Sequence, residues 1–315
     1  MKKQINSTIA KLPKTSINEK FLFREMARLL SHSGISSSTY VEEIHGKKGM
    51  IEFPSWYKGA IKSVELGDLL IITYDKSKKE IRICILQAKY KNKKYYTFLH
   101  FTGNIFQWEL LKDKPLIVDK SKFGFPANIL NFRNDYKSIS AYGVFYHDNI
   151  SGEIDLLYTI PENISPTRMP VIAPVKTATK GFHFRCPVKS GSPNRGCYEG
   201  INGKEAVCIC SIDTFEEQVL LCKVGAPLPN YSPIMRWCIQ SLLNMLDRAD
   251  EPEVIEEILR DYSDLRGSNE FNLDQRYDDI SLPAALVVVT DSEKYGKSKK
   301  QISPEVLMNR RLFAE

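Results

Sequence analysis

The chain has 315 residues, a hydrophobic fraction of 43% and a charged fraction of 26%, a balance found in soluble globular proteins and not in disordered or fibrous ones. The formal charge of +6 permits an anionic partner without requiring one. No apolar run approaches the roughly 20 residues of a membrane-spanning helix. The segment MKKQINSTIAKLPKTS lacks an apolar stretch of the secretory kind, and the seven cysteines show no framework spacing. A cytoplasmic protein with reduced thiols is therefore expected.

Read in chain order, the first element is a helix at about 17–31. Ser16 and Glu19 have the S-x-x-E spacing of a capping box, ahead of apolar Leu22, Phe23, Met26, Leu29 and Leu30. TYVEEIH (39–45) and MIEF (50–53) read as short strands, followed by a loop from Pro54. Asp68–Tyr74 and Glu80–Tyr90 flank the polar turn DKSKK and predict a hairpin. Both runs are nearly continuously apolar, so the sheet should be covered on both faces. A helix is predicted over 103–112, then loop to 137, then a second hairpin from SAYGVFYH (140–147) and EIDLLYTI (153–160). Pro161–Gly203 is rich in Pro, Gly and Ser and marks a boundary. Beyond it come a strand at 206–212, a helix from Thr214 capped by Asp213, helices near 232–247 and 251–263, and a buried strand at 285–291. The second of those late helices has Asp250 as its cap and Pro252 in its first turn. The resulting expectation is a mixed α/β (α+β) protein of two domains, 1–160 and 161–315.

The apolar run ICIL ends in Gln87-Ala88-Lys89, an amide and an ammonium that packing alone does not call for. Residues i and i+2 of a strand share a face, so Gln87 and Lys89 project together. Asp68 opens the partner strand and can be brought beside them. A hard cation takes oxygen ligands, which Asp68, the Gln87 carbonyl and the backbone oxygen of Ala88 could supply. Lys89 could then polarise or deprotonate a water, or offset charge on a phosphorane-like transition state.

The order helix, strand, hairpin, helix, strand, with an Asp opening one strand and a (D/E/Q)-x-K closing the next, resembles the αβββαβ core of restriction-endonuclease-like PD-(D/E)xK nucleases. Gly67 stands where that family often has Pro. ILQAKY is similar to the motif of the Mrr branch of modified-DNA restriction enzymes. The resemblance covers roughly residues 16–150. It implies a metal-dependent DNA endonuclease using Mg2+ or Mn2+, with Asp68, Gln87 and Lys89 as catalytic residues and Asp68, Gln87 and Ala88 at the metal. It also implies bacterial restriction or anti-phage defence, a homo-oligomer, a partner defence protein and no membrane. The alternative is a module that keeps the fold and has lost the chemistry, since Gln87 replaces an acid.

Gln87 leaves Asp68 as the one certain carboxylate, so metal affinity should be weaker unless a further acid joins. At about 100° per residue Glu19 falls inside the apolar stripe of its helix, whereas Glu25 falls off it. Glu19 is thus a candidate catalytic acid, or simply the capping-box acid; Glu43 is the other contender. KYKNKKYY (89–96) interleaves lysines with tyrosines, which makes Lys91, Lys93 and Lys94 candidate substrate contacts, or a solvated loop. Gln107 is a candidate supporting residue on the following helix. His183, Cys186, Cys197, Cys208 and Cys210 lack the C-x2-C spacing of a zinc knuckle, so Cys208 and Cys210 read as buried free thiols.

Overall fold

A computed structural model describes residues 1–13, 17–31, 37–40, 50–56, 60–91, 98–120, 124–148, 151–166, 182–187, 200–249, 251–262 and 285–300. The first half contains α1 (Lys2–Ile9), α2 (Glu19–Ser31), β1 (Ser37–Tyr40), β2 (Met50–Pro54), β3 (Ile61–Glu65), β4 (Leu69–Asp75), β5 (Glu80–Lys91), β6 (Phe98–Gly103), α3 (Ile105–Asp113), β7 (Val118–Asp119), β8 (Ser140–His147) and β9 (Ile154–Thr159). The second half contains β10 (Ser165–Pro166), β11 (Phe182–Pro187), β12 (Gly200–Ile201), β13 (Ala206–Ile209), α4 (Ile212–Leu220), β14 (Ala226–Pro227), α5 (Pro233–Met245), α6 (Pro252–Asp261), β15 (Ala285–Thr290) and α7 (Ser292–Lys300). Among the described residues no helix is long and apolar enough to cross a membrane.

The protein is a mixed α/β structure built on one large sheet in the order β1-β15-β4-β5-β8-β9-β13-β12, with β14 added to β5. β4 and β5 are antiparallel, α3 follows, and β8 returns parallel to β5. The hairpin, the helix and a following strand occur in the expected order, but the strand expected before the hairpin does not join it: β1 pairs with β15, β2 and β3 form part of a separate sheet, and β15 lies parallel beside β4 instead. Two smaller sheets, β10-β11-β6 and β3-β2-β7, flank the main one. The β3 segment was expected to be loop; its Ile-Lys-Ser-Val-Glu alternation pairs residue for residue with β2.

The two-domain division at 160/161 is corrected by this sheet. β15, from the second half, lies parallel beside β4, with Ala285 opposite Leu70 and Thr290 opposite Asp75. β13 pairs with β9, and β14 with β5. Buried Arg82 of β5 donates to the carbonyls of Cys222 and Gly225, tying the hairpin to the second half. Gly225 has φ +83° and an added Cβ would meet the Ile83 carbonyl oxygen at 2.4 Å, so only glycine lets this segment approach β5.

Alternation along the strands gives the sheet two distinct faces. On one, Leu70, Ile72, Ile83, Ile85, Tyr142 and Val144 pack with side chains of α3, α5 and α6, such as Trp108, Trp237 and Ile258. On the other, Leu69, Ile71, Leu86, Ala88 and Phe145 pack with Ile5, Leu22, Met26 and Phe215 of α1, α2 and α4. β4 is buried along its whole length, as is β5 from Ile81 to Ala88, which is the covering on both faces that the continuous apolar runs required.

Several helix starts differ from expectation. Asn18, not Ser16, caps α2 by accepting from the Phe21 amide at 3.0 Å, so Glu19 is the first residue of the helix and not the acid of a capping box. Ser16 lies outside the described residues. Ser211, not Asp213, caps α4, accepting from the Thr214 amide at 3.1 Å. Glu251 occupies the cap position of α6 and makes no side-chain capping hydrogen bond to it, with Pro252 in the first turn; Asp250, the expected cap, lies outside the described residues.

Candidate active site

The strand register brings the head of β4 to the end of β5. Leu69 pairs with Leu86, so one step outward Asp68 faces Gln87. The Asp68 amide continues the ladder by donating to the Leu86 carbonyl at 2.9 Å. Gly67 makes this approach possible: an added Cβ would lie 2.7 Å from Ile85 Cγ2 and 3.3 Å from the Leu86 oxygen. Even residues of β4 and odd residues of β5 share the α3 side of the sheet. Asp68, Gln87 and Lys89 are thereby set on one face, as their spacing predicted.

Two donors converge on one oxygen of the Asp68 carboxylate. The Ala88 amide donates to Oδ2 at 2.7 Å, and Gln87 Nε2 donates to the same atom. Nε2 also reaches towards the Ala88 carbonyl at 3.4 Å. Gln87 is 2% exposed, and its Oε1 is buried with no hydrogen-bond partner, a state that costs roughly 1–3 kcal/mol. Asp68 itself is exposed and Lys89 half-buried. The site thus runs from a buried amide to an open carboxylate.

Two residues that the sequence did not point to support the site. Tyr142 of β8 pairs with Gln87 in the parallel ladder and packs its ring 5.7 Å from that of Phe101. Burial, and then the negative charge of Asp68, raise the pKa of the Tyr142 phenol. Glu65 is held through its carbonyl by Gln107 Nε2 at 3.1 Å. Gln107, a candidate from sequence, is buried and so secures the chain three residues before Asp68. The SAYGVFYH alternation is the signal that could have found Tyr142.

The remaining candidates are placed as follows. Ala88 turns its side chain to the opposite face, among the α2 packing residues, while its backbone serves Asp68. Glu19 lies in α2, whose core residues pack on the face opposite Gln87; its side chain lies outside the described residues, as does Glu43. Glu25, expected off the buried stripe, is 7% exposed, accepting from Arg28 at 2.6 Å and from Thr8 Oγ1 at 3.0 Å. The reason is α1, which was not foreseen and covers that flank of α2. Lys91 ends β5, but its side chain and all of Lys93 and Lys94 lie outside the described residues. Cys208 is a buried free thiol, whereas Cys210 is disulfide-bonded, contrary to the expectation of reduced thiols throughout. His183 and Cys186 lie on β11, with side chains outside the described set, as does Cys197.

Among the described residues no group of three or more His, Cys, Asp or Glu could hold a metal ion. The donors here are of another composition: one carboxylate, one amide oxygen and one backbone carbonyl. That set suits a hard, oxygen-seeking cation, although it is Gln87 Nε2, and not the unpartnered Oε1, that faces Asp68 and the Ala88 carbonyl. No protein-family model matches the chain, and no curated protein matches it.

Proposed function

We propose that the protein is a metal-dependent DNA endonuclease whose site is Asp68, Gln87 and Lys89, acting in the cytoplasm in bacterial restriction or anti-phage defence. The observation that carries the reading is the placement of these three side chains on one sheet face, where the buried Gln87 amide bonds the exposed Asp68 carboxylate through its nitrogen and leaves its own oxygen without a partner. Asp68, Gln87 Oε1 and the Ala88 carbonyl would hold Mg2+ or Mn2+. When bound, the cation would supply positive charge for the scissile phosphate and its attacking water. Lys89 would position that water and offset charge gathering on the phosphate oxygens. Gln107 and Gly67 would fix the chain that presents Asp68. Lys91, Lys93 and Lys94 would follow the DNA backbone, and a homo-oligomer would bring two such sites to the two strands; a partner defence protein could supply the activating signal. The test is Mg2+-dependent conversion of supercoiled plasmid to nicked or linear DNA, reversed by a chelator.

The second reading is a nucleic-acid-binding module of the same fold without hydrolysis. It is favoured by the hydrogen bond that closes Gln87 onto Asp68, since this occupies one oxygen of the single carboxylate in the set. DNA binding that persists unchanged with the metal removed, in a protein that does not cut, would select it.

A further inference from the structure

The buried amide of Gln87 is satisfied on one side alone. Its nitrogen has Asp68 Oδ2 and, at 3.4 Å, the Ala88 carbonyl; its oxygen has nothing. At 2% exposure the side chain has little recourse to bulk water. The orientation follows from the chemistry of its neighbours. Half a turn of the amide would exchange the two atoms and set Oε1 against the carboxylate. Two acceptors facing each other repel, and in a buried setting that repulsion is felt strongly. A positive centre between them removes the repulsion and also supplies the partner that Oε1 lacks.

We propose that Gln87 is a reversible cover over Asp68: its amide nitrogen holds the carboxylate in the cation-free protein, and a divalent cation binds by turning the amide so that Oε1 becomes a ligand. The inference rests on the metal-dependent reading above and adds a regulation of that site. The cover makes cation binding compete with the Gln87–Asp68 bond, so a cation alone binds weakly. A phosphate oxygen arriving with DNA adds a further ligand and tips the competition. Cation and DNA therefore strengthen each other's binding, by the same factor in each direction. The Ala88 amide donates to the same carboxylate oxygen at 2.7 Å and reports on Asp68 independently of Gln87.

The experiment is an NMR titration of the full chain with Mg2+ in the absence of DNA. It observes the side-chain amide of isotope-labelled Gln87, identified by its loss in Gln87→Glu, together with the Ala88 backbone amide. The expected result is that both resonances move along one titration curve. Solvent exchange of the Gln87 amide protons should rise by at least ~10-fold, the factor an ordinary hydrogen bond supplies. If Ala88 titrates while the Gln87 protons keep their position and protection, a cation binds and the cover is overturned, with the nuclease reading intact. If neither responds to Mg2+, nor broadens with Mn2+, whether the cation is added alone or after an uncleavable DNA duplex has been bound, both the cover and the metal-dependent reading are overturned.

Discussion

The backbone amide of Ala88 lies 2.7 Å from Oδ2 of Asp68, so the strand that carries Lys89 also fixes the acid at the head of its neighbour. This hydrogen bond makes the position of Asp68 sensitive to the backbone around it. Gly67 is where that sensitivity is greatest.

Gly67→Ala puts a methyl 2.7 Å from Ile85 Cγ2, and Ile85 is a buried, β-branched residue whose χ1 is stiff. Overpacking of this kind costs about 1–3 kcal/mol. The strand head should lift from Leu86, lowering the unfolding midpoint in urea and reducing any cleavage more than the stability change explains. A variant with wild-type stability and activity would show that the close approach is not needed.

Gln107→Leu keeps the volume of the side chain and removes its donor to the Glu65 carbonyl, 3.1 Å away. The expected loss of stability is about 1 kcal/mol. Catalytic rate should fall while the affinity for DNA stays the same, because Gln107 supports the segment that presents Asp68 and touches no substrate. Equal changes in rate and affinity would point to a direct contact instead.

The reach of the sequence was uneven, for physical reasons. The β4–β5 hairpin was legible because two unbroken apolar runs joined by a polar turn admit few other folds, and the pairing of Asp68 with Gln87 follows from it. The place of β15 was not legible, since a parallel partner lies far off in sequence and leaves no local mark. Its run ALVVVT announced a buried strand but not its neighbour. β3 was missed because it is short and presents alternate residues to solvent, with Ile61 63% exposed. The caps of α2 and α4 were displaced because Asn18 and Ser16, or Ser211 and Asp213, are all competent cap residues. Glu25 was misjudged because helical periodicity describes one helix and cannot foresee α1 covering it.

Asp75 joins the hairpin to the second half of the chain. It accepts from Ser77, Lys78 and Ser292. Burial works to raise its pKa, but hydrogen bonds from Ser292, Ser77 and Lys78 prevail and bring it from 3.8 down to about 2. A depressed pKa stabilises the fold fully above the unfolded value and loses that contribution as pH falls from 3.8 through about 2. Asp75→Asn should cost about 2 kcal/mol at neutral pH and flatten the acid limb of a stability–pH curve measured by urea unfolding. Parallel curves for the two proteins would contradict this linkage.

The lysines after the motif are tested by salt dependence. Replacing Lys91, Lys93 and Lys94 by Ala should weaken binding to all DNA sequences alike. The slope of log affinity against log salt should fall by up to about 0.9 for each phosphate that is no longer neutralised. The same change at Lys297, Lys299 and Lys300 should have a much smaller effect. An unchanged slope for the first set would move the DNA surface elsewhere.

The central claim is that Asp68 and Lys89 perform metal-dependent hydrolysis on one face of the sheet. Its most direct test is plasmid cleavage in Mg2+ by the wild type, Asp68→Asn and Lys89→Ala, with folding of each checked by its unfolding midpoint. Asp68→Asn keeps a side-chain oxygen for the Ala88 amide, so the fold should survive. The account predicts cleavage by the wild type that a chelator abolishes, and none by either folded variant. Undiminished cleavage by either variant, or no cleavage by a wild type that binds both Mg2+ and DNA, would contradict it.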